Sequence, residues 1–170
     1  MRILLCDRLT SGGAVAGALI DVIERRLVAA GHEVEQVLLP YLDERSAAPS
    51  QLMAFRLLAF RAYCDHVVAF GAPAHVVAHP SKTVWCCDEP ASLLPDPDGS
   101  VPDWLAASDR LGFGEASTVL VSSEARRAQL ARAGIAADLI SRPGDDASAG
   151  MDALVKRLLP SRPSAPGAAS

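Results

Sequence analysis

Ile3-Leu4-Leu5-Cys6-Asp7-Arg8-Leu9-Thr10-Ser11-Gly12-Gly13 opens the chain, and a helical pattern runs on from it to Ala30. Ile3–Cys6 is unbroken apolar sequence, the pattern of a strand covered on both faces of a parallel sheet. Gly12-Gly13 then opens a helix. Glycine permits the sharp bend and leaves backbone N–H groups facing a cleft. Strand, glycine turn and helix make the first half of a βαβ unit. In an open α/β sheet the ligand site lies at the carboxyl ends of the strands, where this turn sits.

The same alternation continues outward. Val15, Leu19, Val22, Ile23 and Leu27 recur at helical spacing over Ala14–Ala30, and Gly31 suits the position just past a helix end. Glu33–Leu39 reads as a second strand, ended by Pro40. Ser50 is placed to cap a helix over Gln51–Tyr63. Val67–Phe70 and Thr83–Cys87 read as strands three and four, joined through Gly71-Ala72-Pro73 and a helical turn at Ala74–Ala78. Helices are expected at Trp104–Leu111, Glu124–Ala133 and Met151–Leu159, and strands at Thr118–Val121 and Asp138–Ile140. The fold class that follows is α/β, a Rossmann-like open and mainly parallel sheet of about six strands with helices on both faces. One domain over residues 1–159 is expected, with a disordered Pro/Ser/Ala-rich tail over 160–170.

Bulk properties narrow the function. The 170 residues carry a net charge of −4, and mean hydropathy is +0.21. Neither number points to a nucleic-acid partner. No apolar run reaches the roughly 18 residues of a membrane span, and the chain enters a strand at once, which argues against a signal peptide. Cys6, Cys64, Cys86 and Cys87 lack metal-ligand spacing and read as reduced thiols, so a cytoplasmic location is expected. Cys86 and Cys87 are expected to be small strand residues pointing to opposite faces.

Several residues fall on the predicted rim. Asp7 and Arg8 end strand one. Asp88 and Glu89 follow strand four and start a proline-rich segment, 88–103. Loops of that length are usually functional or mobile. Trp104 lies beside it, suited to stacking or to simple packing. His75 and His79 have a four-residue spacing that suits metal ligation on a helix, but Pro80 and the lack of a third ligand favour capping or packing, and no metal is expected.

An ordered set of pieces resembles the N-terminal, acceptor-side domain of the GT-B glycosyltransferases of family 4. They are Met1–Leu5, Gly12-Gly13, Ala29–Val34, Asp65–Val68 with Gly71, Lys82–Trp85, Glu115–Ser123, Leu130, Gly134 and Arg142–Asp145. They span residues 1–146. The family's second domain, which carries the nucleotide-sugar site, has no counterpart after residue 146, and Asp88 stands where many members have a histidine. The resemblance implies one component of a split glycosyltransferase, half of a GT-B fold. Asp88 and Glu89 would be catalytic, deprotonating or orienting the acceptor. Gly12, Gly13, Arg8, Asp7 and Trp104 would bind substrate. No cofactor would be held by this chain; the nucleotide-sugar donor would come with a second protein chain. The alternatives are a non-catalytic binding or regulatory subunit, a homo-oligomer, or a stand-alone enzyme acting on a small molecule in the same cleft. The apolar stripe Met151, Leu154, Val155, Leu158 and Leu159 is expected to pack back on the core or to dock a partner.

Overall fold

The computed structural model describes residues 1–10, 13–14, 16–42, 44, 46–86, 103–140 and 148–160. The strands are β1 (Arg2–Thr10), β2 (Gly13–Ala14), β3 (Glu33–Pro40), β4 (His66–Phe70), β5 (Lys82–Cys86), β6 (Thr118–Val121) and β7 (Asp138–Leu139). The α-helices are α1 (Gly17–Ala29), α2 (Ala48–Arg56), α3 (Asp103–Gly114), α4 (Glu124–Arg132) and α5 (Ser148–Leu158). Six strands pair in parallel in the order β3-β1-β4-β5-β6-β7, a Rossmann-like α/β sheet. The short β2 runs antiparallel to the end of β1.

Burial on both faces explains the apolar strands. Ile3, Leu4, Leu5 and Cys6 are all fully buried, as are Val67, Val68 and Ala69. Ile3, Leu5, Val68, Phe70, Trp85 and Leu120 point to one face and meet α1 and α5. Leu4, Cys6, Val67, Ala69, Val84 and Val121 point to the other, against α2, α3 and α4. This division follows from right-handed crossovers. The step from β1 to β3 runs one way across the sheet, and every later step runs the other way.

Where the chain departs from its sequence pattern, the cause is local. The first strand extends to Thr10 rather than stopping at Cys6, and Gly13 pairs with Thr10 in β2 instead of opening the helix. Leu9 and Thr10 favour extended backbone, and only residues 11 and 12 separate Thr10 from its partner, the spacing of a tight hairpin. Helix α1 therefore starts at Gly17, not Ala14. Helix α2 starts at Ala48, with Pro49 in its first turn, and the Ser50 hydroxyl donates to the Ala47 carbonyl instead of capping. It ends at Arg56, and a separate 3-10 turn at Phe60–Ala62 leads into β4. In α4, Ser123 accepts the Arg126 N–H at 3.2 Å and caps as its sequence position suggests. Cys87 lies outside the described residues.

The crossover from β4 to β5 contains only a 3-10 turn, Ala74–Val76. Its carbonyls would be orphaned in the core, and Lys82 supplies the missing donors. The fully buried Lys82 ammonium donates to the carbonyls of His75 at 2.8 Å and Val77 at 2.9 Å. Burial pushes the Lys82 pKa down to about 8, against the pull of Glu115, whose carboxylate lies 3.9 Å away. Arg56 forks onto the same Glu115 carboxylate and also reaches the Val76 carbonyl. Helix α3 closes over this turn. His75 stacks on Phe113 and bonds Asp109 at 2.8 Å. A Cβ at Gly112 would lie 2.7 Å from the His75 ring and 2.9 Å from its carbonyl oxygen, so only glycine allows the approach.

Helix α5 packs on α1 rather than standing free. Arg26 pairs with Asp152 at 3.0 Å, and the His66 Nε2–H donates to the Leu158 carbonyl at 2.9 Å. The Ser81 hydroxyl sits 2.8 Å from His66 Nδ1, so the ring is held neutral as a donor on one side and an acceptor on the other. Burial drives its pKa down to about 4. The unfolded chain takes up this proton near pH 6.5 and the folded chain does not until about pH 4. The resulting stability is complete above pH 6.5 and is lost as pH falls toward 4, by up to about 3 kcal/mol. Urea titrations between pH 7 and 4 should show this decline, and His66→Gln should start lower at pH 7 and lose less on acidification.

Candidate functional site

The order of the strands locates the crevice. The chain winds outward from β1 to β3, then returns across β1 to β4, so the reversal falls between β1 and β4. Open α/β sheets bind ligands beyond the carboxyl ends of the strands at such a reversal. Here β4 ends at Phe70, followed by Gly71, Ala72 and Pro73, while β1 does not end at Asp7-Arg8 as its sequence suggests but runs on to Thr10, so Asp7 and Arg8 lie just past its last pair with β4, Cys6–Ala69.

Asp7 faces α1 and is fully buried. Its carboxylate accepts the N–H of Ala16 at 2.9 Å and that of Arg8 at 2.8 Å. Ala16 is the N-cap of α1 and has no side chain to cap with, so Asp7 caps the helix from the neighbouring strand. The negative carboxylate sits at the positive end of the helix dipole. An external anion expected at this helix end would therefore meet an internal one already in place. Gly13 lies in the β2 hairpin, and Gly12 lies outside the described residues.

Arg8 turns the opposite way, to the crevice side of β4. One guanidinium N–H donates to the Ala72 carbonyl at 3.2 Å, which ties the end of β1 to the turn after β4. The Arg8 Nε is buried and has no acceptor among the described residues. A cation at the reversal point thus keeps an unmet donor. Gly71 makes the turn possible: its φ is +65°, in the left-handed region that suits glycine. Its N–H bonds the Trp85 carbonyl, which fixes the turn to the end of β5. Trp85 is core, as its sequence position suggests, and its indole N–H reaches the Ser122 hydroxyl at 3.3 Å.

Trp104 is the second residue of α3, at the rim end of the sheet, and is 37% exposed, so its ring is partly available. Asp88 and Glu89 lie outside the described residues; they follow β5, whose last residue is Cys86. The structure brings Asp7 and Arg8 to the rim together. It gives Asp7 to the helix and leaves Arg8 facing the crevice. Burial pushes the Cys86 thiol, at the end of β5, up to about 12, and Cys6 likewise, so neither is a thiolate near neutral pH.

His75 and His79 do not converge. His75 bonds Asp109, whereas His79 lies between the carbonyls of Cys64 and Ser81 at 3.2 and 2.7 Å. Among the described residues no cluster of three or more His, Cys, Asp or Glu could hold a metal ion, and no helix is long and apolar enough to cross a membrane. The Arg8–Ala72 tie is not visible in sequence, because it joins residues far apart. The signal that could have found it is an arginine at the end of an otherwise buried strand.

The role of Asp7 is measurable. Asp7→Ala leaves the Ala16 N–H without its partner and should lower stability by about 2 kcal/mol. Asp7→Asn keeps one acceptor oxygen but sets its amide NH2 against the other backbone N–H and loses the charge, so it should also destabilise the fold, by an amount close to that of Asp7→Ala. Urea unfolding gives the size, and faster amide exchange in the first turn of α1 gives the place. Compared with known proteins, the chain matches no family model, no curated protein and no solved structure.

Proposed function

We propose that the chain is the acceptor-side half of a glycosyltransferase, a GT-B family 4-type domain that works with a second chain. The acceptor occupies the crevice between the carboxyl ends of β1 and β4. The observation that supports this most directly is the buried Arg8 Nε at the sheet's reversal point, which has no acceptor among the described residues. A guanidinium there suits a hydroxylated or anionic small molecule, since it offers N–H groups in a planar fork. Trp104, partly exposed at the same end, suits the apolar face of a sugar ring.

Asp88 or Glu89 then takes the proton from an acceptor hydroxyl. The hydroxyl oxygen forms a bond to the donor's anomeric carbon as the bond from that carbon to the nucleotide diphosphate breaks. The partner chain holds the nucleotide.

Two measurements test the proposal. The native mass of the protein, purified gently from its own cells, should correspond to a complex with a second Rossmann-like chain; a lone monomer overturns the split-enzyme reading. The assembled pair should release nucleotide from one of a panel of UDP- and GDP-sugars when acceptor is present. Arg8→Gln should raise the acceptor KM at least tenfold, and Asp88→Ala should abolish turnover with folding intact. Turnover that survives Asp88→Ala and Glu89→Ala removes their catalytic role.

A further inference from the structure

A cavity lies at the end of the sheet opposite the β1–β4 crevice, where the strands begin. Its volume is about 560 Å³, within the roughly 300–1,000 Å³ typical of small-molecule sites. Leu57, Leu58 and Ala59, between α2 and the following 3-10 turn, supply one part of its lining. Ala78 and Pro80, just before β5, supply another. This lining is mainly apolar and includes Leu57, which is 75% exposed. An apolar body would bury here the surface that the folded chain leaves in water.

The polar groups around it are not equivalent. Arg56 and Glu115 neutralise each other by a forked pair, and His79 is engaged with the backbone carbonyls of Cys64 and Ser81. Lys82 stands behind Glu115 with its donors on His75 and Val77. Arg61 alone among the lining charges has no hydrogen bond or ion pair among the described residues. The cavity therefore combines an apolar surface with one uncommitted guanidinium.

We infer that this cavity binds a small amphipathic carboxylate, an acyl or aryl acid whose chain lies against Leu58, Ala59, Ala78 and Pro80 and whose head pairs with Arg61. A single guanidinium fork matches one carboxylate. The site is separate from the β1–β4 crevice and does not depend on the glycosyl-transfer reading.

Octanoate, octanol and octylamine, alike in chain length but not in head group, are the probes, read by amide chemical shifts of the full chain. Octanoate should bind saturably and shift Leu57, Leu58, Ala59 and Ala78. Octanol should bind at least tenfold more weakly, and octylamine more weakly still. Arg61→Gln, at an exposed position, should reduce octanoate to the octanol affinity without changing the melting temperature. Ala59→Phe should fill the cavity and abolish binding of both. Equal affinities for octanoate and octanol, an unchanged affinity in Arg61→Gln, or shifts confined to other residues would overturn the assignment.

Discussion

The buried ammonium of Lys82 is the constraint on which much of the sheet's second half depends. A parallel crossover ordinarily uses a dozen or more residues and a helix that satisfies its own backbone. Between β4 and β5 the chain has only residues 71–81 and one 3-10 turn. Lys82 completes the missing bonds from the first position of the next strand, at the cost of keeping a charge out of water. With its carbonyls satisfied, the turn lies low enough for α3 to close over it at Gly112. Glu115 and Arg56 then extend the same polar contact to α2. Three elements on one face of the sheet are therefore joined through one lysine and the carboxylate beside it.

The rim at the other end of the sheet divides its charges in a comparable way. Adjacent residues on β1 point to opposite faces, so Asp7 and Arg8 cannot both serve the crevice. Asp7 faces α1 and is used there to cap the helix. Arg8 faces the turn after β4, bonded to Ala72. The local electrostatic balance at the reversal point is thus a neutralised helix end beside a guanidinium whose Nε has no acceptor among the described residues. The α1 side of the rim thus carries a carboxylate already bonded by two N–H groups, and the Arg8 side carries the charge that is not so engaged.

Much of the architecture was legible in sequence because it rests on patterns that local chemistry sets. The unbroken run Ile3–Cys6 announces a doubly covered strand and is buried as such; the helical spacing of Leu19, Val22, Ile23 and Leu27 announces a one-sided helix, whose face turns out to centre on Ile20, Ile23 and Leu27 with Leu19 and Val22 half-buried beside it. Ser123 reads as a cap because its hydroxyl acts within one turn. Lys82 and His66 did not read as core residues, since their polarity argues for water. Their burial depends on carbonyls of His75, Val77 and Leu158 that only the folded chain brings near. Gly12-Gly13 was misleading for a related reason. A glycine pair suits a helix entry and a hairpin equally, and the pairing of Gly13 with Thr10 decided between them. At the rim, strand ends were legible, but the choice of partners for Asp7 and Arg8 was a matter of which face each met.

The docking of α5 has a consequence for the order in which the chain acquires its structure. The bond from His66 to the Leu158 carbonyl closes a loop of 92 residues in sequence separation. While the chain emerges from the ribosome, strands β1, β4, β5 and β6 can pair before α5 exists. During that interval Phe70, Trp85 and Leu120, which the finished protein covers with Leu154 and Leu158, have no C-terminal lid. Until α5 is made, the part of this sheet face that α1 does not cover is open to water, the kind of transiently exposed apolar surface that makes incomplete chains prone to associate.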